Sequence, residues 1–310
     1  MTIARFHPAH GLLACALLLA TACPRSNEVA PASQAADGNG ARTLVIGLIP
    51  EQNIFRQLER YQSIADFLSD QLGVKLRLTS LVRYGNIVDN FVSEDMDGAF
   101  FGSFTYALAH ARIGVEVLAR PLSTNGASTY HGLIFVRTDS KIRSVADMAG
   151  KRFAFVDRAT MAGFLLPLHY FTQAGKDYRT FLRESYFAGT HEDVIHDVLD
   201  GKADIGAAKN TVFERMAAAE PRIESELTIL DRSPEVPENA LAVRATLDPQ
   251  LKLGLKRALL TMHDDARGKQ LLQAFGAQRF IETSDADYQP IYRYAADAKL
   301  DLATYNYKND

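Results

Sequence analysis

The chain has 310 residues, 47% hydrophobic and 23% charged, which is more than one comfortable hydrophobic core holds, so two domains are expected. Lys plus Arg is 34 and Asp plus Glu 37, a formal charge of -3 that leaves no basic excess for a nucleic-acid backbone. The two cysteines, Cys15 and Cys23, both stand near the start, so neither a disulfide framework nor a zinc-thiolate site is expected in the body of the chain.

Residues 1–22 carry one formal side-chain charge, Arg5, ahead of the apolar run Leu12–Leu19. The run is too short for a permanent membrane span and has the form of a secretory signal. It ends in Ala20-Thr21-Ala22-Cys23, which resembles a bacterial lipobox with Ala20 where leucine is usual. That resemblance implies acylation of Cys23 and a membrane anchor. Plain cleavage near Ala22 is the alternative. Residues 24–41 are rich in Pro, Ala, Ser, Gly and Asn without an apolar period and read as a flexible tether, so 1–22 is taken as signal and 23–42 as linker.

From residue 43 short β-branched or aromatic runs alternate with helical periods, the pattern of an α/β protein. Strands are expected at Thr43–Pro50, Val74–Leu81, Asp97–Gly102 and Val115–Leu122, with helices at 53–72, Tyr84–Ser93 and Ser103–Ile113 between them. The turn-rich stretch Pro121–Ser128 reads as a boundary. A second series follows, with strands at Tyr130–Arg137, Arg152–Val156, Glu184–Phe187, Ala203–Ala208 and Leu227–Leu230. Its helical segments are Val145–Met148, Met161–Ala174, Glu192–Asp200 and Thr211–Ala219. Pro234 and Pro237 mark another break. Beyond it come a strand at Ala240–Val243 and helices at 249–265, 267–275 and 286–297. This end has too few strands for its own sheet and is expected to return to the first domain. Lobe 1 is then 43–125 plus 238–310 and lobe 2 is 126–237, with crossings near 123–130 and 233–239 and a ligand cleft between the lobes.

Four strings carry a resemblance: YQSIADFLSDQLGVKLRL (Tyr61–Leu78), GAFFGSFTYALA (Gly98–Ala109), YHGLIFVRTDSKIRSVADMAGKRFAFVD (Tyr130–Asp157) and YFAGTHEDVIHDVLDGKADIGAA (Tyr186–Ala208). Over roughly residues 43–245 the chain resembles the PhnD-type periplasmic solute-binding proteins of phosphonate, phosphite and related ABC importers. The resemblance implies a type II periplasmic-binding fold, two α/β lobes that close on a small oxyanion. It puts Tyr61, Ser103, Tyr106, Tyr130, Thr190 and His191 at the ligand. Ser103 and Thr190 also precede helical periods, where free backbone N–H groups and the positive helix end favour an anion.

Relatives show a Ser-Thr-Ser-Gly run where this chain has Ala159-Thr160-Met161-Ala162-Gly163. Thr160 and Met161 are therefore candidate contacts, and two hydroxyls are missing, each worth roughly 1.5–3 kcal/mol toward a charged ligand. Phosphonates are expected to bind weakly, and a less oxygenated oxyanion or an organic solute touching Met161 is expected instead. Lys209 and Asn210 follow a strand, where an open α/β lobe places ligand contacts.

Enzyme signatures are absent. His191 and His196 are five apart, which is the wrong spacing for a helical zinc site, and neither a phosphate loop nor a G-x-S-x-G elbow occurs. No cofactor, metal or nucleic acid is expected. The reading is an exported, lipid-anchored, monomeric binding protein of the periplasm that hands its solute to an ABC permease. The alternative output is a membrane sensor kinase or cyclase, and an enzyme on the same fold ranks last.

Overall fold

The computed structural model describes residues 42–309 apart from Gln52 and Val82, so the signal segment, Cys23 and residues 24–41 lie outside the described residues. The chain begins β1 (Thr43–Leu48), α1 (Ile54–Leu72), β2 (Lys75–Ser80), α2 (Asn86–Ser93), β3 (Gly98–Phe101), α3 (Ser103–Ile113) and β4 (Glu116–Ser123). After β5 (Thr129–Tyr130) come β6 (Gly132–Arg137), β7 (Arg152–Phe155), α4 (Leu166–Gln173), α5 (Tyr178–Phe181), β8 (Glu184–Phe187), α6 (His191–Leu199), β9 (Ile205–Lys209), α7 (Asn210–Ala219), α8 (Arg222–Glu226) and β10 (Leu227–Arg232). The last stretch holds β11 (Val236–Pro237), β12 (Ala240–Val243), α9 (Pro249–Thr261), α10 (Ala266–Phe275), β13 (Ala277–Glu282) and α11 (Gln289–Asp297).

Two mixed sheets result, in the orders β13-β4-β12-β3-β1-β2 and β10-β6-β9-β7-β8. Within the first, β1 runs parallel to β2 and β3, whereas β12 and β13 return antiparallel. In the second, β7 runs parallel to β8 and β9. Strands buried on both faces need unbroken apolar runs, which is why LVIGL and GAFF were legible. The short ladder β5–β11 pairs the two connections, with Val236 opposite Tyr130. This is an α/β fold of the type II periplasmic-binding kind.

The helices start and stop where local chemistry dictates. Asn53 Oδ1 accepts from Phe55 and Arg56 N–H at the start of α1, and Gly73 ends it in the left-handed region. The buried face of α1, which includes Tyr61, Ile64, Phe67 and Leu68, packs with Leu44, Phe100 and Phe275 into one core. Each such large side chain contributes about 1.5–3 kcal/mol of burial.

Three departures from the sequence reading have physical causes. The stretch Pro121–Ser123 belongs to β4. Pro121 is tolerated because β12 pairs with β4 only as far as Ala119, and beyond it β13 alone is bonded. β13 itself was missed because it is an edge strand with Arg279 and Glu282 exposed, too weakly patterned to show. The helix at Met161 opens as a π-helical turn, Met161–Leu165, before α4. Pro167 has no N–H to give the Gly163 carbonyl, which accepts from Val156 N–H at 3.2 Å instead. Gly163 must lack a side chain, since a Cβ there would lie 2.4 Å from Val156.

Candidate functional site

The carboxyl ends of β1, β3, β7, β8 and β9 converge with the start of β12, the expected ligand side of parallel α/β sheets. They line a small cavity of about 10 Å³, room for about one water. Its wall includes Glu51 after β1, Tyr84 after β2, Ser103 at α3, Tyr130 on β5, Thr160 and Met161 at the π-helical turn, His191 at α6, Lys209 closing β9, and Asn239.

Helix beginnings supply much of this wall. Gly102 precedes α3 with no side-chain cap, and Thr160 precedes the π-helical turn likewise, so amides of both first turns lack intrahelical acceptors beside the cavity. The Ser103 and Tyr130 hydroxyls are 2.6 Å apart and bond each other. Thr160 Oγ1 donates to the Asp157 carbonyl at 2.6 Å, so its lone pairs rather than its proton face outward. Burial pushes the Tyr130 hydroxyl up to about 12 and keeps it a donor.

His191 is held as a neutral donor. The Lys209 backbone N–H donates to its Nδ1 at 3.2 Å, which leaves the ring proton on Nε2. Burial pushes the imidazole down to about 3, a larger influence than the nearby Glu51 charge that opposes it. Tyr84 crosses His191 edge-on at 6.0 Å, and its hydroxyl is buried without a partner among the described residues. Asn239 Nδ2 is also buried without a hydrogen bond of proper geometry, although its amide lies close enough to favour the Glu51 charge.

One ion cluster sits in this wall. Lys209 Nζ donates to Glu51 Oε1 at 3.0 Å, to Glu238 Oε1, and to Asn239 Oδ1 at 3.4 Å. Burial opposes the Lys209 charge, but Glu238 and Glu51 together hold its ammonium above the ordinary lysine range. Burial likewise opposes ionisation of Glu51, and Lys209 outweighs it and holds the carboxyl below its usual value.

Ser103, Tyr130, Thr160, Met161, His191 and Lys209 are therefore brought together at one cavity. The other candidates stand elsewhere. Tyr61 packs edge-on against Phe100 and Phe275, at 4.8 and 5.1 Å, and lines a neighbouring cavity of about 120 Å³ that shares Glu51, Lys209 and Asn239. Tyr106 lies against Tyr288 and donates to Asp285 at 3.2 Å. Thr190 Oγ1 caps α6 by accepting from Asp193 N–H at 3.0 Å. Asn210 Oδ1 accepts from His131 N–H at 2.9 Å, and its Nδ2 donates to Glu214. Sequence reasoning missed Glu51, Tyr84, Glu238 and Asn239. All four occupy connections next to strands or the second crossing, where a chain position alone signals nothing without the sheet order.

Residues 46–288 match the family described as "ABC transporter, phosphonate, periplasmic substrate-binding protein". Among curated relatives, a probable ABC transporter phosphite binding protein PhnD1 of Prochlorococcus marinus is 25% identical over 260 residues, covering 81% of this chain and 88% of that protein. The phosphate-import protein PhnD of Mycolicibacterium smegmatis is 28% identical over 228 residues, 69% of each chain. The crystal structure of the Prochlorococcus PhnD1 in complex with methylphosphonate superposes with a TM-score of 0.73 at 23% identity, covering 83% of this chain and 98% of that one. A match that takes in both sheets and nearly the whole cavity wall places the chain in that family: it belongs to the periplasmic substrate-binding proteins of phosphonate ABC transporters, which bind solutes for import and are not enzymes.

Proposed function

We propose that the cavity takes a small tetrahedral oxyanion of the phosphite, phosphate or methylphosphonate size, bound as the lobes close, and that the protein delivers it to an ABC permease while tethered through an acylated Cys23. The observation that carries this reading is the buried hydroxyl of Tyr84, without a partner among the described residues, beside the neutral Nε2–H of His191. A buried donor without an acceptor costs about 1–3 kcal/mol, and a ligand oxygen recovers it. The uncapped first turns at Ser103 and Met161 add amides to the same wall. Relatives named for phosphite and phosphate import, and one solved with methylphosphonate, set the range of ligands. Methylphosphonate, which carries the same three oxygens as phosphite plus a methyl group, is expected to bind more weakly than phosphite in so small a cavity.

Calorimetry of the purified protein against phosphite, phosphate, hypophosphite, methylphosphonate and sulfate tests this. Phosphite is expected to bind tightest, and no heat with any of these anions at millimolar concentration overturns the reading. For the anchor, Cys23→Ser is expected to move the protein from the membrane to the soluble periplasmic fraction. Unchanged membrane association overturns that part.

A further inference from the structure

The ammonium of Lys209 is fully employed. Its side chain is only 4% exposed, between Glu51 and Glu238 at 16% and 18%. A lysine ammonium has three protons, and three acceptors surround it: Glu51 Oε1, Glu238 Oε1 and Asn239 Oδ1. Its remaining side faces the Tyr130 ring, 4.4 Å from the centroid. None of its protons is left for a ligand, so Lys209 does not serve the oxyanion directly. Two carboxylates against one ammonium leave this corner of the cleft with a net negative charge. Such a corner is built to hold a cation, and the chain provides that cation from within.

On the oxyanion reading above, on which it rests, we propose that Lys209 is a specificity-determining residue: a built-in ammonium that fills the cation subsite of the cleft, so the protein takes plain oxyanions and rejects those carrying an amine. An amine-bearing solute reaching this corner meets the Lys209 ammonium in a water-poor site, and the carboxylate oxygens that face it, Glu51 Oε1 and Glu238 Oε1, are already bonded to that ammonium. A solute with hydrogen, methyl or hydroxyl there meets no such repulsion. Three separate segments make the subsite, since Glu51 follows β1, Lys209 ends β9, and Glu238 lies in the second crossing just before β12.

The test compares the full-length wild type, Lys209→Ala, and Lys209→Ala/Glu238→Gln. Calorimetry measures methylphosphonate against 2-aminoethylphosphonate, and thermal melts compare methylammonium chloride with sodium chloride at equal ionic strength. Wild type is expected to prefer methylphosphonate at least tenfold and to melt alike in both salts. Lys209→Ala is expected to reverse the preference and to melt higher in methylammonium, because a cation that binds only the native state raises the melting temperature. If two unpaired carboxylates unfold that variant, the double variant carries the test and is expected to bind both phosphonates within threefold of each other. Equal or tighter binding of the amine by wild type overturns the proposal, as does a Lys209 variant that keeps the wild-type preference and gains nothing from methylammonium. Loss of all oxyanion binding in wild type, with methylammonium still raising the melting temperature of Lys209→Ala, overturns the oxyanion reading and supports the cation subsite.

Discussion

The backbone N–H of Lys209 donates to Nδ1 of His191 across 3.2 Å, so the end of β9 sets the tautomer of the first residue of α6. The imidazole then presents Nε2–H and no charge to the cavity. Nitrogen NMR is expected to show the Nε2–H tautomer, unchanged from pH 8 down to pH 5. His191→Ala is expected to weaken oxyanion binding about tenfold or more, the worth of one hydrogen bond to a charged acceptor. Titration of His191 near its ordinary value, or a proton on Nδ1, contradicts this geometry.

Tyr84 joins an energetic cost in the free protein to a gain in the complex. Its hydroxyl is buried and has no partner among the described residues, so Tyr84→Phe is expected to stabilise the free protein by roughly 1 kcal/mol in denaturant melts. Oxyanion affinity is expected to fall about tenfold in the same variant. A variant that loses stability without losing affinity shows that the hydroxyl has a structural partner instead.

Two buried groups with opposed shifts contribute to the acid side of the stability curve. Asp157, which accepts from Ala159 N–H and Asn309 Nδ2, is pushed up by burial to about 6, while His191 is pushed down by burial to about 3. The Asp157 contribution is complete below its unfolded value and lost as pH rises through about 6. The His191 contribution is complete above its unfolded value and lost as pH falls toward about 3. Between about pH 4 and 6 these two slopes, each of order ~1.4 kcal/mol per pH unit, have opposite sign and offset each other. Asp157→Asn removes one of them. Relative to wild type, the variant's unfolding free energy is expected to climb with pH across that window by about that slope. Parallel wild-type and variant curves between pH 4 and 6 refute the assignment.

The two-sheet α/β architecture was legible because parallel strands buried on both faces must be continuous apolar runs, and LVIGL, GAFF and FAFV are such runs. Ser103 and Thr190 were placed at helix starts by a related local logic, since unpaired amides stand at a helix start wherever that helix lies, whereas His191 came only from the family resemblance. Tyr61 shows the limit of this logic. Helical periodicity places it on the buried face of α1, but whether that face meets the ligand or Phe100 and Phe275 depends on what packs there. β13 escaped notice because an edge strand bonded on one side tolerates exposed Arg279 and Glu282.

The amino-acid sequence by itself determined the helix starts, the buried strands and the family, all properties of neighbouring residues or of ordered strings. Only the tertiary structure decided what Lys209 does. Its carboxylate partner Glu51 is 158 residues away and Glu238 is 29 away, and nothing local to any of the three marks them as a cluster. A charge in a buried site takes its meaning from the charges that the fold places within a few ångströms, and chain position carries no record of that distance.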